Sequence, residues 1–263
     1  METKLKQKSE NQSISQKKSD LYKEQYDEDF VDKWDQLIDW NARGKGEGDF
    51  FIRELQKRGC KKILDAAAGT GYHSVKLQQH NFEVHSVDGS ENMLMKAFQN
   101  GKKQNLVLRT IHADWRWLTR DIHEKYDAVI CLGNSFTHLF KEEDRRKTLA
   151  EFYAVLKHDG ILILDQRNYD VMLDEGFKTK HSYYYAGDNV KAEPEFIQDD
   201  LVRFRYQFPG NSVFNLNMFP LRKEYTRSLI QEAGFQRITT YGDFQETYRT
   251  KDPDYLIHIA DKL

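Results

Sequence analysis

The chain is poor in cysteine and proline, with two cysteines and four prolines among its 263 residues. Cys60 and Cys131 lie far apart without paired spacing, which argues against a disulfide framework and against a zinc ribbon. Unpaired cysteines fit a reducing compartment. We therefore expect a cytoplasmic protein.

A long apolar run, an apolar signal core and a large net charge are also missing, the formal charge being −2. We therefore expect neither a membrane nor nucleic acid as a partner, and the expected partner is a small molecule. No heptad seam or repeat appears, so the expected state is a monomer or a small homo-oligomer. Residues 1–20 hold only Leu5 and Ile14 to bury and are predicted to form a disordered tail.

Residues 63–71 form the most informative motif, Ile-Leu-Asp-Ala-Ala-Ala-Gly-Thr-Gly. A short apolar run, an acid and then Gly-x-Gly predict a buried strand that turns sharply into a helix and holds a nucleoside. Ser74 stands where a dinucleotide fingerprint has its third glycine, which weakens the case for a pyrophosphate. Asp65 at the strand end suits a cationic ligand such as the methionyl part of S-adenosylmethionine.

A second acid supports nucleoside binding. Asp88 ends an alternating strand seventeen residues after Gly71, about where nucleotide-binding units place the carboxylate that accepts ribose hydroxyls. The other interpretation of Asp88 is a turn former before Gly89 and Ser90.

Strand and helix patterns alternate along most of the chain. Helices are predicted near residues 27–40, 47–58, 72–80, 90–100, 142–157 and 222–233, with strands at 62–65, 83–87, 106–111, 127–132, 160–165, 235–241 and 255–260. This alternation predicts an α/β fold with a doubly wound, mostly parallel seven-stranded sheet. Residues 170–219 are rich in aromatics and turn signals and are predicted to form an antiparallel lid.

The motifs above resemble those of glycine N-methyltransferases, in particular the microbial glycine/sarcosine N-methyltransferases that start betaine synthesis. Val-Asp-Gly-Ser, Ala-Asp-Trp, Ile-Cys-Leu-Gly-Asn-Ser-Phe-Thr-His-Leu and Asp-Gln-Arg-Asn-Tyr-Asp extend the resemblance from Tyr22 to the end of the chain. It implies a Rossmann-like class I methyltransferase that uses S-adenosylmethionine to convert glycine to sarcosine and sarcosine to dimethylglycine.

The resemblance also implies four parts of the chain: the tail, N-terminal helices at 21–58 over the cofactor, the binding domain at 59–169 and 220–263, and the lid. It implies a cofactor site in which each residue has a stated place. Ala67, with Gly69, Gly71 and Asp65 nearby, is expected to contact the methionyl part, and Asp88 the ribose. Asp114 and Trp115 are expected to contact the adenine, and Leu132 to contribute through its backbone. The N-terminal segment is expected to add Tyr26, Trp34 and Arg43. Arg43 is expected to pair with the methionyl carboxylate.

Arg167 is the candidate for the substrate carboxylate, since it follows a strand at the binding edge and can donate two parallel hydrogen bonds. Its alternative is a surface ion pair. Asn134 is expected to hydrogen-bond the substrate, or else to serve as a loop residue. Tyr185 and Tyr206 match family positions that enclose the substrate, although strand periodicity alone leaves them as surface or core residues.

His138 is a candidate to orient the substrate or accept a proton, and a structural role is its alternative. No metal is predicted, because His73, His80 and His85 have no companion ligands at metal spacing. Met218-Phe219-Pro220 lacks a tyrosine hydroxyl that animal members have, and our hypothesis is that Phe219 makes room for sarcosine.

Three other functions stay open from the sequence. A dehydrogenase that uses NAD shares the glycine turn and the ribose acid, although Ser74 and Asp65 argue against it. A protein that binds S-adenosylmethionine without turnover shares the fold. An N-methyltransferase of another small amino acid, such as dimethylglycine, is poorly separated, because one methyl group changes binding by only about 1–3 kcal/mol.

Overall fold

The computed structural model describes residues 20–178 and 189–263. Of the predicted tail only Asp20 falls within these ranges, and Tyr185 lies outside the described residues. Within the described ranges no helix is both long enough and apolar enough to span a bilayer.

A seven-stranded sheet forms the centre of the fold. Its strands are β1 (Lys62–Asp65), β2 (Glu83–Asp88), β3 (Arg109–His112), β4 (Tyr126–Cys131), β5 (Leu156–Arg167), β9 (Gln236–Gly242) and β10 (Tyr255–Asp261). They lie in the order β3-β2-β1-β4-β5-β10-β9, and only the pairs that involve β10 are antiparallel. The predicted mostly parallel sheet is confirmed.

Helices cover both faces of this sheet, as fully buried parallel strands require. They are α1 (Leu21–Gln25), α2 (Glu28–Leu37), α3 (Trp40–Glu47), α4 (Phe50–Lys57), α5 (Tyr72–Gln79), α6 (Glu91–Lys103), α7 (Leu118–Asp121), α8 (Glu142–Val155), α9 (Tyr169–Glu175) and α10 (Lys223–Glu232). The apolar runs of β1 and β4 are buried between two hydrophobic clusters, one on each face.

The first predicted helix, 27–40, is divided in the structure. Asp27 caps α2, its side chain accepting from the Phe30 N–H at 2.8 Å. Asp39 caps α3 in the same way, accepting from the Ala42 N–H at 2.7 Å. A second aspartate cap therefore starts a new helix where the apolar spacing alone predicted continuation. The next helix begins at Phe50 rather than at residue 47, which places Glu47 at the end of α3.

Two predicted strands also have different bounds. The strand expected at 106–111 begins at Arg109, because Asn105 takes a positive φ of 58° and the Leu106 N–H still bonds back to Gly101. β5 extends over Leu156–Arg167 rather than 160–165, and α8 correspondingly ends at Val155 instead of residue 157.

A second sheet follows α9 and consists of β6 (Lys191–Gln198), β7 (Leu201–Gln207) and β8 (Val213–Met218), all antiparallel. Its apolar face packs against α2, with the Phe30 and Phe214 rings stacked at 4.7 Å between centroids. The antiparallel insertion predicted from its aromatic composition is therefore present among the described residues.

Candidate active site

A cavity with an empty volume of about 990 Å³ opens at the carboxyl ends of the parallel strands. It lies between the loops that follow β1, β2, β3 and β4 on one side and helices α1 to α3 on the other. Ten of the residues predicted for the site line it: Tyr26, Trp34, Arg43, Ala67, Gly69, Asp88, Asp114, Trp115, Leu132 and His138.

Asp65 and Gly71 belong to the first loop but do not line the cavity. The buried Asp65 carboxylate accepts a hydrogen bond from the Ser74 hydroxyl at 2.7 Å, and Ser74 accepts one from Ser86 at 2.8 Å. A Cβ on Gly71 would lie 3.1 Å from Ala97, so this glycine permits close packing of α5 on α6. Both residues therefore stabilise the loop after β1 without lining the cavity.

Asp88 bonds the turn that follows it, which is one of the two interpretations that the sequence left open. Its Oδ2 accepts from the Gly69 N–H at 2.8 Å and its Oδ1 from the Ser90 N–H at 2.9 Å. It therefore ties the two loops together and also faces the cavity. Burial raises the pKa of Asp88 to about 6, against the opposing effect of the Ser90 and Gly69 hydrogen bonds.

Asp114 and Trp115 form the wall after β3. The Trp115 indole donates to the Ala66 carbonyl. Asp114 accepts from the Arg116 backbone N–H at 2.9 Å and from its guanidinium, which also reaches Asp20 at 2.7 Å. Burial would raise the pKa of Asp114, but the Arg116 hydrogen bonds outweigh it and the pKa is lowered. Asp114 is therefore an ionised, fixed acceptor at the cavity.

Helix α1 adds a residue that the sequence did not single out. The Tyr22 ring lines the cavity and lies so close to Gly89 that a Cβ there would be 2.8 Å from it. Tyr72, Met93 and Arg116 are further lining residues that were not predicted. Their side chains reach the cavity from helices and turns that neighbour the motifs, and local spacing gives no signal for this.

Arg43 enters the cavity from α3. Its side chain is 7% exposed, and its guanidinium carbon lies 5.1 Å from the centre of the Tyr72 ring. A buried cation at this place is a potential partner for an anionic ligand group. Lys45, on the same helix, does not line the cavity.

Tyr26 and His138 form a pair at the other end of the cavity, where the Tyr26 hydroxyl and His138 Nε2 are 2.9 Å apart. The Tyr26 ring also contacts Trp34, with centroids 5.3 Å apart. Burial lowers the pKa of His138 to about 4, against a small opposing effect of the Asn217 backbone. A group of such low pKa is a weak proton acceptor at neutral pH, which favours an orienting role.

Arg167 lies beside the cavity but not in its wall. The side chain is 7% exposed, and its guanidinium carbon lies 4.7 Å from the Phe204 ring centre, 5.1 Å from Tyr255 and 5.8 Å from Phe177. We call these four residues, together with the buried Tyr206, the aromatic chamber. Arg167 is therefore buried among rings and does not lie at the surface.

Asn134 joins the ends of β4 and β5. It adopts a positive φ of 62°, its Oδ1 accepts from the Arg167 backbone N–H at 2.9 Å, and its Nδ2 donates to the Tyr169 hydroxyl at 2.8 Å. The same Nδ2 contacts the Met218 sulfur at 3.0 Å. Both ends of the Asn134 amide thus hold the segment between cavity and chamber.

Phe219 faces away from Asn134. Its ring lies 4.1 Å below the guanidinium carbon of Arg145 and contacts Phe140, whereas the preceding Met218 contacts Asn134. This placement argues against the hypothesis that Phe219 makes room for sarcosine.

Glu83, His85 and Glu124 form a group of potential metal ligands within 4.8 Å of one another. Lys62 Nζ lies 2.9 Å from Glu83, and the Arg109 guanidinium lies 2.8 Å from both Glu124 and His85. These two cations already compensate the carboxylates. Sequence spacing missed the group because Glu124 is distant in the chain.

Comparisons with known proteins identify the family to which the chain belongs. Residues 63–160 match the methyltransferase domain model. The chain is 66% identical to the glycine/sarcosine N-methyltransferase of Aphanothece halophytica, covering 95% of this chain and 94% of that protein. It is 62% identical to the Halorhodospira halochloris enzyme of the same name, covering 93% and 91%.

Among solved structures, an S-adenosylmethionine-dependent methyltransferase from Clostridium acetobutylicum ATCC 824 superposes with a TM-score of 0.71 at 21% identity, covering 89% of this chain and 97% of that one. The fold and the strand-edge cavity define a class I methyltransferase that depends on S-adenosylmethionine. With relatives of such identity along nearly its whole length, the chain belongs to the glycine/sarcosine N-methyltransferase family.

Proposed function

We propose that this enzyme methylates glycine to sarcosine and sarcosine to dimethylglycine, the first steps of betaine synthesis. The observation that carries the proposal is a cavity lined by the loops after the parallel strands, beside a buried arginine at the end of the neighbouring strand. S-adenosylmethionine supplies an electrophilic methyl group on a sulfonium ion. The two relatives described above are named for the same acceptors.

The cavity residues fit this cofactor chemically. Gly69 gives a wall without a side chain, and a Cβ added there would meet nothing within 4 Å, so the loop borders open space. Asp88 can accept ribose hydroxyls, and Arg43 can donate to the methionyl carboxylate. Asp114 and Trp115 would contact the adenine, and Leu132 would add a backbone contact.

Arg167 would hold the carboxylate of glycine or sarcosine with its planar fork. The surrounding rings exclude water, which strengthens a charge-assisted hydrogen bond. Tyr206, 3% exposed on β7, is close enough that Arg167 opposes the rise in its pKa caused by burial. We propose that Tyr206, and Tyr185 outside the described residues, enclose the same carboxylate.

Asn134 would orient the acceptor. One of its amide hydrogens faces the Met218 thioether, which is a weak acceptor that a substrate atom can replace. The other stays on Tyr169 and keeps the side chain in place. Asn134 thereby joins the proposed substrate pocket to the cavity.

The three-stranded sheet would act as the lid of this site, and helices α1 to α3 as the cover of the cofactor. We propose the boundaries 21–58 for the cover, 170–219 for the lid, and 59–169 with 220–263 for the binding domain. Removal of water and alignment of the neutral amine with the methyl group are the main contributions of the protein. Alignment of this kind is worth about 7–11 kcal/mol at its upper limit.

No dedicated base is required in this mechanism, because water can take the proton from the methylated amine. His138, with its low pKa and its bond to Tyr26, would orient the acceptor. The buried free cysteines support a cytoplasmic enzyme, which we propose is a monomer or a small homo-oligomer.

The test is transfer of isotopically labelled methyl groups to glycine, sarcosine and dimethylglycine, with mass analysis of the products. We expect turnover of glycine and sarcosine, and a loss of acceptor kcat/KM by about 30-fold or more in Arg167→Ala at unchanged affinity for S-adenosylhomocysteine. Arg203→Ala is the matched control, since Arg203 bonds Asn217 within the lid sheet. Cofactor binding without methylation of any of the three would overturn the substrate assignment.

A further inference from the structure

Glu47 is a fully buried carboxylate next to the cofactor cavity, which it does not line. It stands one helical turn after Arg43 on α3, and its Oε1 accepts from Arg43 Nε at 2.6 Å. On its other side, His73 Nε2 lies 3.1 Å from Oε2 and 3.2 Å from Oε1. Glu47 thus connects the helix that carries Arg43 to α5.

The two partners keep this carboxylate ionised. Burial alone raises the pKa of Glu47, but His73 and Arg43 outweigh it and lower the pKa to about 2. An ionised carboxylate in the interior is costly unless it is paired and hydrogen-bonded. A buried ion pair can often be replaced as a whole by hydrophobic residues, whereas loss of Glu47 alone would leave the buried Arg43 charge uncompensated.

Two contacts hold the Arg43 guanidinium, and its distance from Gly133 shows its direction. Glu47 holds its Nε edge, and the Tyr72 ring lies against its face at 5.1 Å. Both Nη atoms lie 4.0 Å from where a Cβ of Gly133 would stand, so the Nη edge faces the loop after β4. Gly133 also lines the cavity.

We propose that Glu47, supported by His73, is a positioning residue that turns the Nη edge of Arg43 toward the methionyl carboxylate of the cofactor. The inference rests on the proposed function, which assigns that carboxylate to Arg43. Because a guanidinium bonds a carboxylate well only in its own plane, rotation about the Arg43 side chain would weaken binding while the charge remains. His73 ties the arrangement to α5, which begins at the cofactor loop.

The experiment compares two ligands that differ in the part Arg43 would bind. S-adenosylhomocysteine carries the amino-acid carboxylate, and 5′-methylthioadenosine lacks it. In Glu47→Gln we expect the Kd of S-adenosylhomocysteine to rise by about 10-fold or more, with the Kd of 5′-methylthioadenosine within about twofold of the wild type, both by calorimetry. The KM for S-adenosylmethionine should rise more than kcat falls.

Three further variants sharpen the result. Glu54→Gln removes the analogous pair with Arg58 on α4 and should change neither Kd. In an Arg43→Ala background, Glu47→Gln should weaken S-adenosylhomocysteine no further, because the two residues act as a unit. His73→Asn should shift the same Kd in the same direction, and it tests the proposal if Glu47→Gln does not fold.

Equal weakening of both ligands by Glu47→Gln would show a merely structural role and overturn the inference. So would an unchanged Kd for S-adenosylhomocysteine. Failure of the wild-type protein to bind S-adenosylhomocysteine would instead overturn the proposed function, so the two failures are distinguishable.

Discussion

The cofactor cavity and the aromatic chamber lie side by side but are built in different ways. One wall of the cavity consists of loops at strand ends, with Asp88 and Gly69 joined at 2.8 Å. In the chamber, the Arg167 guanidinium lies between rings from three separate parts of the chain. One region is held by hydrogen bonds between neighbouring loops, and the other by ring contacts among remote segments.

This difference follows from the topology. The loops after β1 and β2 are close in sequence, so their mutual hydrogen bonds cost little loop-closure entropy. Arg167 depends on Phe204 from β7 and on Tyr255 from β10, which pairs with it directly in the sheet register. Damage to remote elements should therefore affect the chamber before the cavity.

The largest expected effect is that of Tyr255→Ala, which removes one of the rings of the chamber. Loss of a fully buried aromatic side chain costs about 3–5 kcal/mol of unfolding free energy. Denaturant unfolding measures this loss, and acceptor KM should rise while S-adenosylhomocysteine still binds at low temperature. Phe235→Ala, a buried core position against Tyr153, should cost similar stability without raising acceptor KM. If both variants raise it equally, chamber and cavity are not separable.

The matching test on the cavity is Asp88→Asn. Hydrogen bonds to a charged group contribute about 1.5–3 kcal/mol, so the Kd of S-adenosylhomocysteine should rise about 10- to 150-fold in calorimetry. Asp127→Asn is the control, because Asp127 likewise accepts from two backbone N–H groups, those of Lys61 and Lys62. An equal effect of both variants would show that Asp88 acts only on the fold.

The next largest effect is expected in the pH dependence of cofactor binding. Ribose hydroxyls donate to the ionised Asp88 carboxylate, so binding favours the deprotonated form, and its pKa in the free protein is about 6. Affinity should be level above that pH and fall by up to about tenfold per pH unit below it. Calorimetry between pH 5 and 8 measures the slope, which should disappear in Asp88→Asn. A level wild-type profile would contradict the expectation.

The smallest effect is expected from Phe219→Tyr. Since the Phe219 ring lies against Arg145 and not in the chamber, the ratio of glycine to sarcosine kcat/KM should stay within about twofold of the wild type. Competition assays with both acceptors measure it. A larger change would restore the hypothesis that this position selects the acceptor.

Sequence patterns predicted the sheet well because the residues that specify each strand lie close together in the chain. Parallel strands buried on both faces appear as short apolar runs, and the glycine turn after β1 lies within nine residues. Asp39 shows the limit, because its N-cap side chain overrides a helical spacing that continues through it. Positive φ at Asn105 likewise delays β3 in a way that apolar content does not reveal.

Asp88 lines the cavity, as its position at a strand end predicted, whereas Arg167, at the end of β5, lies beside the cavity. The direction of a side chain was not predictable, and Asp65 points inward to Ser74 although its place in the motif matches a ligand contact. Glu47 was missed because the predicted helix boundaries separated it from Arg43, which lies one turn before it on α3. Its other partner, His73, meets it only in the folded chain, and spacing does not encode that contact.

The position of β10 has a consequence for co-translational folding. This strand is the last described element of the chain, yet it lies between β5 and β9 within the sheet. During translation, the segments that form the cavity leave the ribosome well before β10 does, and domains fold as their segments emerge. Until Tyr255–Asp261 arrives, β5 presents an unpaired edge that invites association with other nascent chains. The nascent enzyme therefore completes the cavity first and the aromatic chamber last.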